Sequence, residues 1–103
     1  MRLEGDLLRL FFRSVRGAGT QVRAGFSVSA RIFNAVSRNR IRRLLRGAFE
    51  VEGPRVQARA KALGCALELL FVYKGSKSLS PNRLRLSDVL QEMTELCSRI
   101  KMG

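Results

Sequence analysis

The sequence predicts an α/β chain, an α+β sandwich in which one mixed sheet is packed with helices. Three observations point there. Two stretches near the N-terminus alternate, a continuous apolar run of strand length lies at 65–73, and two other segments repeat their apolar residues at helical spacing. With 103 residues and 46% hydrophobic content, the chain has room for a single domain, residues 1–103, around one modest core.

Leu7 to Val15 sets Leu8, Leu10 and Phe12 against Arg9, Phe11 and Arg13, an imperfect period-2 pattern that reads as a strand with two partly used faces. Arg16-Gly17-Ala18-Gly19-Thr20 follows as a hairpin-type connection, because two glycines allow positive φ. Gln21 to Ser29 is the second strand. Val22, Ala24, Phe26 and Val28 share one face, and Arg23, Gly25, Ser27 and Ser29 share a polar, basic one.

After a short link at Ala30 to Phe33, the segment Asn34 to Glu50 places Ile41, Leu44, Leu45, Ala48 and Phe49 at i, i+3, i+4, i+7 and i+8, the stripe of an amphipathic helix. Gly53-Pro54 is expected to break the chain. Arg55 to Leu63 reads as a short Ala-rich helix stopping at Gly64. Cys65 to Tyr73 carries one charge, Glu68, and suits a central strand. Gly75 to Asn82 is loop. The last helix gathers Val89, Leu90, Met93, Leu96, Cys97 and Ile100 on one face, with Ser80 or Ser87 as its cap.

Charge narrows the function. Twenty Lys and Arg oppose eight Asp and Glu, giving +12, and such an excess self-repels unless a polyanion relieves it. Arg outnumbers Lys sixteen to four, and the planar guanidinium both forks onto phosphate and stacks on bases. No run of apolar residues is long enough to span a membrane, and Arg9 and Arg13 interrupt the only apolar run near the N-terminus. The chain has no His, which removes the commonest general base and metal ligand. Cys65 and Cys97 sit in apolar surroundings without ligand-like spacing and read as two buried free thiols.

The positive charge is concentrated. Arg38, Asn39, Arg40, Arg42, Arg43 and Arg46 crowd one stretch of the predicted helix, and no acidic residue occurs between Asp6 and Glu50. A solvated helix face normally mixes signs in i,i+4 pairs. Like charges at 38/42 and 42/46 instead call for an external anion, which makes these six residues the candidates for binding a polyanion. Around the helix, Asn39, Arg42 and Arg46 lie beside one edge of the apolar stripe, Arg43 faces away from it, and Arg40 flanks the other edge.

The run Gly25-Phe26-Ser27-Val28-Ser29, followed by Ile32 to Arg46 with Ala35, Arg38-Asn39-Arg40-Ile41-Arg42-Arg43 and Arg46, resembles the bacterial ribonuclease P protein family at every defined position of its signature. The resemblance implies a four-stranded sheet with helices and a left-handed β-α-β crossover through the Arg-Asn-Arg helix. It also implies an accessory subunit of an endoribonuclease ribonucleoprotein in the bacterial cytoplasm. In that assembly a catalytic RNA, using Mg²⁺ held mainly by the RNA, cuts precursor tRNA to form the mature 5′ end. The protein has no catalytic residues of its own, and no obligate protein partner is inferred. Carried over by position, Arg38, Asn39, Arg40, Arg42, Arg43 and Arg46 contact RNA, while Ser27, Ser29 and Phe12 line the cleft that receives the 5′ leader, Phe12 by stacking on a base.

Against the family pattern, the usual N-terminal helix that walls the cleft is expected to be missing ahead of the first long strand. Ala30 stands where Lys is common and Phe33 where Gly is usual. The alternative reading is another structural RNA-binding protein, such as a ribosomal component. A protein-only nuclease has little support, given no His and no carboxylate cluster.

Overall fold

The computed structural model describes residues 1–29, 34–75 and 80–100. The link at Ala30 to Phe33, with its two departures from the family pattern and the signature's Ile32, lies outside these residues, as does half of the loop expected at Gly75 to Asn82. The strands are β1 (Arg2–Glu4), β2 (Leu8–Val15), β3 (Val22–Val28) and β4 (Ala66–Tyr73), and the helices are α1 (Ala35–Leu63) and α2 (Leu86–Ser98). A single 3-10 turn, Pro81–Arg83, precedes α2.

The four strands form one mixed sheet in the order β1-β2-β4-β3. β4 pairs antiparallel with β2 and parallel with β3, so β3, α1 and β4 make a β-α-β unit. The expected hairpin between β2 and β3 does not form. Gly17 and Gly19 do turn the chain at φ 80 and 82, but β4 is inserted between the two strands. β4 is the most apolar strand, and the centre of the sheet gives it two neighbours and the deepest burial. Crossing its end requires about 10 Å, two strand spacings, which the six-residue link from Arg16 to Gln21 reaches easily. β1 is an addition to the sequence reading, a three-residue edge strand with Leu3 turned inward between Arg2 and Glu4.

Alternation sorts the sheet into two faces. Leu8, Leu10 and Phe12 of β2 pair with Tyr73, Phe71 and Leu69 of β4, and all six are buried against the helices. Both helices pack on this face. Phe49 of α1 meets the rings of Phe26 and Phe71 at 6.0 and 5.9 Å, and Ile41, Leu45 and Ala48 are fully buried.

The Gly53-Pro54 break is a second correction, since α1 runs unbroken through Pro54. Its buried positions continue as Glu52, Val56 and Ala60 beyond the stripe of Ile41, Leu45 and Ala48. Packing of that continuous face outweighs the local penalty, and Pro54 is exposed, so water can reach the carbonyl left without a donor. The helix ends where expected, at Gly64 with φ 69, whose N–H returns to Ala60 and Lys61 carbonyls.

Neither Ser80 nor Ser87 caps α2. Arg85 is its N-cap residue, and its backbone N–H donates to Asp88 Oδ2 at 2.9 Å. Polar straps complete the packing. Glu52, buried in the α1–α2 seam, accepts from Thr94 Oγ1 at 2.8 Å, and Arg59 Nε donates to the Ile100 carbonyl at 3.0 Å. The Glu92 carboxylate accepts the Leu7 and Leu8 amides, tying α2 to the β1–β2 turn. Cys65 and Cys97 are both buried free thiols, as expected.

Candidate nucleic-acid interface

The signature helix starts cleanly. Asn34, extended at φ -72 and ψ 169, caps α1 by accepting the Ser37 amide at 2.8 Å on its side-chain oxygen. The first turn carries no acid, so the positive end of the helix adds to the side-chain charge there. Burial of Ile41 and Leu45 then fixes which way each cation points.

At about 100° per residue, Arg42 and Arg46 fall within about 60° of Phe49, on the flank that leans over β3. Arg46, Asn39 and Arg43 are exposed, while Arg38 and Arg42 are half-buried along the same side. β3 is the sheet's edge strand, so this flank runs beside the sheet's border.

Arg40 is the exception. It sits opposite Phe49 and turns inward, its two terminal nitrogens donating to the carbonyls of Pro81 and Leu84 at 2.6 Å each. In this geometry Arg40 braces the 3-10 turn against α1, and its fork faces protein carbonyls where a phosphate was expected.

The second surface is the sheet face that no helix covers among the described residues. Across β2, β4 and β3 it reads in rows, Arg9–Val72–Ser27, then Phe11–Leu70–Gly25, then Arg13–Glu68–Arg23. The middle row is flat and apolar. Phe11 and Leu70 are 37% and 41% exposed, and Gly25 adds no side chain. A Cβ there would approach Leu70 Cδ1 to 3.4 Å. Ser27 is half-buried on this face, and Ser29 continues the same parity just beyond the strand.

Phe12 does not belong to this surface. Its register with Leu69 places it on the helix-covered face, 7% exposed, so it is a core residue and not a cleft residue. The exposed aromatic is its neighbour Phe11. The period-2 pattern already held that signal, because Phe11 shares its parity with Arg9 and Arg13, whereas Phe12 shares that of Leu8 and Leu10.

The acids on the open face are each held by cations. Glu4 meets Lys74 at 2.7 Å, Arg9 and, at 3.6 Å, Arg2; the Lys74 hydrogen bond leads in holding its carboxyl below the usual range. Glu68 pairs with Arg13. Arg23, beside Glu68 in the row, also joins the open face. Thus a cationic helix flank and a partly apolar, Arg-studded sheet face meet along β3. The first suits phosphates, and the second suits stacked bases.

Comparison with known proteins agrees with the fold. The ribonuclease P family profile matches residues 2–101. No curated protein sequence matches. Among solved structures, the fold is similar to the RNase P protein from Thermotoga maritima, with a TM-score of 0.70 at 22% identity, covering 98% of this chain and 84% of that one. The same protein in complex with 1-(4-fluorophenyl)-2-thiourea gives 0.70 at 20% identity, covering 98% and 86%. The Staphylococcus aureus RNase P protein gives 0.69 at 16% identity, covering 95% and 78%. With its signature helix, its mixed sheet and a profile match over nearly its whole length, the chain belongs to the ribonuclease P protein family, whose work is RNA binding in tRNA processing.

Proposed function

We propose that the α1 flank docks on the catalytic RNA of ribonuclease P while the open sheet face holds the 5′ leader of precursor tRNA. The observation that carries this reading is the meeting of those two surfaces along β3. One protein edge then touches two RNA segments at once and aligns the leader relative to the catalytic RNA. Arg42, Arg43 and Arg46, with Arg38 and Asn39, bind phosphates of the catalytic RNA. Phe11 and Leu70 offer a sequence-tolerant stacking floor, and Ser27 and Ser29 donate to the leader from the β3 side.

The chain is an accessory subunit in this scheme, and bond cleavage resides in the RNA. Among the described residues no group of three or more His, Cys, Asp or Glu side chains gathers to hold a metal ion, and this scheme does not turn on a protein-held Mg²⁺. The Mg²⁺ of the reaction is assigned to the RNA. Nor is any helix among the described residues long and apolar enough to cross a membrane.

Equilibrium binding tests the docking half. The protein is expected to bind ribonuclease P RNA at least tenfold tighter than an unrelated structured RNA of equal length at the same salt. Equal affinities would reduce the interface to diffuse charge attraction.

A further inference from the structure

The sheet ends at β3, a strand of seven residues that is paired on one side among the described residues. In a parallel ladder, alternate residues turn both backbone groups to the same neighbour. The Leu67 amide donates to the Gln21 carbonyl at 2.9 Å, so Gln21, Arg23 and Gly25 face β4. Val22, Ala24 and Phe26 therefore point their N–H and C=O groups out of the sheet. No hydrogen bond joins those groups to another described residue. Thr20 has the same parity, and its carbonyl accepts from Gln57 Nε2 of α1 at 2.5 Å. Past that contact the row is open among the described residues.

The side chains along this edge are open too. Val22, Ala24 and Phe26 sit on the helix-covered face yet are only half-buried, whereas their β4 partners Leu67, Leu69 and Phe71 are buried. Phe49, whose ring meets that of Phe26 at 6.0 Å, is half-buried as well. The core thus reaches solvent along the seam between β3 and α1. Cations bracket it on both sides. Arg42 and Arg46 stand on the α1 flank, and Arg23 stands on the open face, where its row neighbour Glu68 is already paired with Arg13.

Chemistry selects the occupant. Phosphates suit the arginine flanks, but on the edge itself carbonyls alternate with amides and repel them. A second copy of the chain would bring the same arginines together across the new ladder. An extended peptide supplies matching donors and acceptors, and carboxylates on it meet Arg23, Arg42 and Arg46. We propose that the β3 edge is a docking site for an extended acidic peptide of a partner protein. It joins the sheet as a fifth strand, with its apolar side chains against Phe26 and Phe49. Such docking goes beyond the RNA reading and stands without it.

The test uses the full chain and a labelled heptapeptide alternating Glu and Val. Beside it are the same peptide N-methylated at every residue and one with Lys in place of Glu. N-methylation removes the ladder bonds and keeps the charge, so it is expected to weaken binding about tenfold or more. The Lys peptide is expected to bind more weakly by at least as much. Amide exchange locates the ladder. Bound Glu–Val peptide is expected to slow exchange at Val22, Ala24 and Phe26, and to leave Arg23 and Gly25, already paired with β4, unchanged. Equal affinities of the parent and N-methylated peptides overturn the proposal, since they reduce binding to charge attraction. So does a Glu–Val peptide that binds no tighter than its Lys counterpart, or one that slows exchange only outside β3.

Discussion

Arg40 donates to the carbonyl of Leu84 across 2.6 Å, and to that of Pro81 across the same distance, so the central arginine of the RNA-binding signature is a brace within the protein. The two carbonyls flank the 3-10 turn, and Leu84 itself is fully buried. The fork therefore ties the start of the basic helix to the segment that leads into α2.

Replacing it separates folding from binding. Arg40→Gln is expected to lower stability by about 1.5–3 kcal/mol, the range for hydrogen bonds to a charged group, as read by urea denaturation. The dependence of log affinity on log salt for RNA is expected to keep its slope, because no phosphate contact is removed. A reduced slope with unchanged stability would make Arg40 an RNA ligand.

Arg42→Ala and Arg46→Ala are expected to do the reverse. Each removes a proposed phosphate contact, so the slope of log affinity against log salt is expected to fall by about 0.7–0.9 per residue while stability changes little. Arg83→Ala and Arg99→Ala, exposed but outside the signature, are expected to leave the slope within error. Equal effects at all four positions would indicate an unfocused positive field.

Neighbouring phenylalanines give a paired prediction. Phe12→Ala opens a cavity under the sheet and is expected to destabilise by about 3–5 kcal/mol. Phe11→Ala lies on the exposed face and is expected to leave the melting temperature nearly unchanged while weakening leader-bearing RNA. Thermal denaturation alongside binding to leader-bearing and leaderless tRNA checks both, and an interchange of the two phenotypes would contradict the face assignment.

The pH dependence follows from Cys97. Burial, ahead of the nearby Glu52 charge, pushes its thiol up to about 12 from an ordinary 9.0. A raised thiol favours the neutral form in the folded state. Its contribution is therefore fully present below about 9 and is lost as pH rises from there through about 12. Unfolding free energy measured above pH 9 is expected to fall more steeply for the wild type than for Cys97→Ala. Equal slopes would show that the thiol is no less acidic in the fold than in the open chain.

Local pattern made much of this legible. Alternation around Leu8, Leu10 and Phe12 located β2, the apolar run ending at Tyr73 located β4, and the spacing of Ile41, Leu45 and Ala48 located the basic helix and the outward set of its arginines. Strand order was not legible, because the Leu67 pairing with both Ser14 and Val22 joins segments some fifty residues apart and leaves no local period. Pro54 misled for a related reason, since only the tertiary burial of Val56 and Ala60 shows that the helix continues. In the site, Phe12 was chosen by counting along the chain, whereas the parity of its strand decides for Phe11. Arg40's partners lie more than forty residues away at Pro81 and Leu84, beyond any helical-wheel reading.

The role proposed for this chain is to assist a catalytic RNA in maturing tRNA. Cleavage of precursor tRNA by ribonuclease P RNA at low Mg²⁺, with and without the protein, tests it most directly. The protein is expected to raise the cleavage rate at least tenfold, Arg42→Ala and Phe11→Ala each to reduce the gain, and protein without RNA to cut nothing. An unchanged rate on adding the protein, or cleavage by the RNA-free protein, would contradict it.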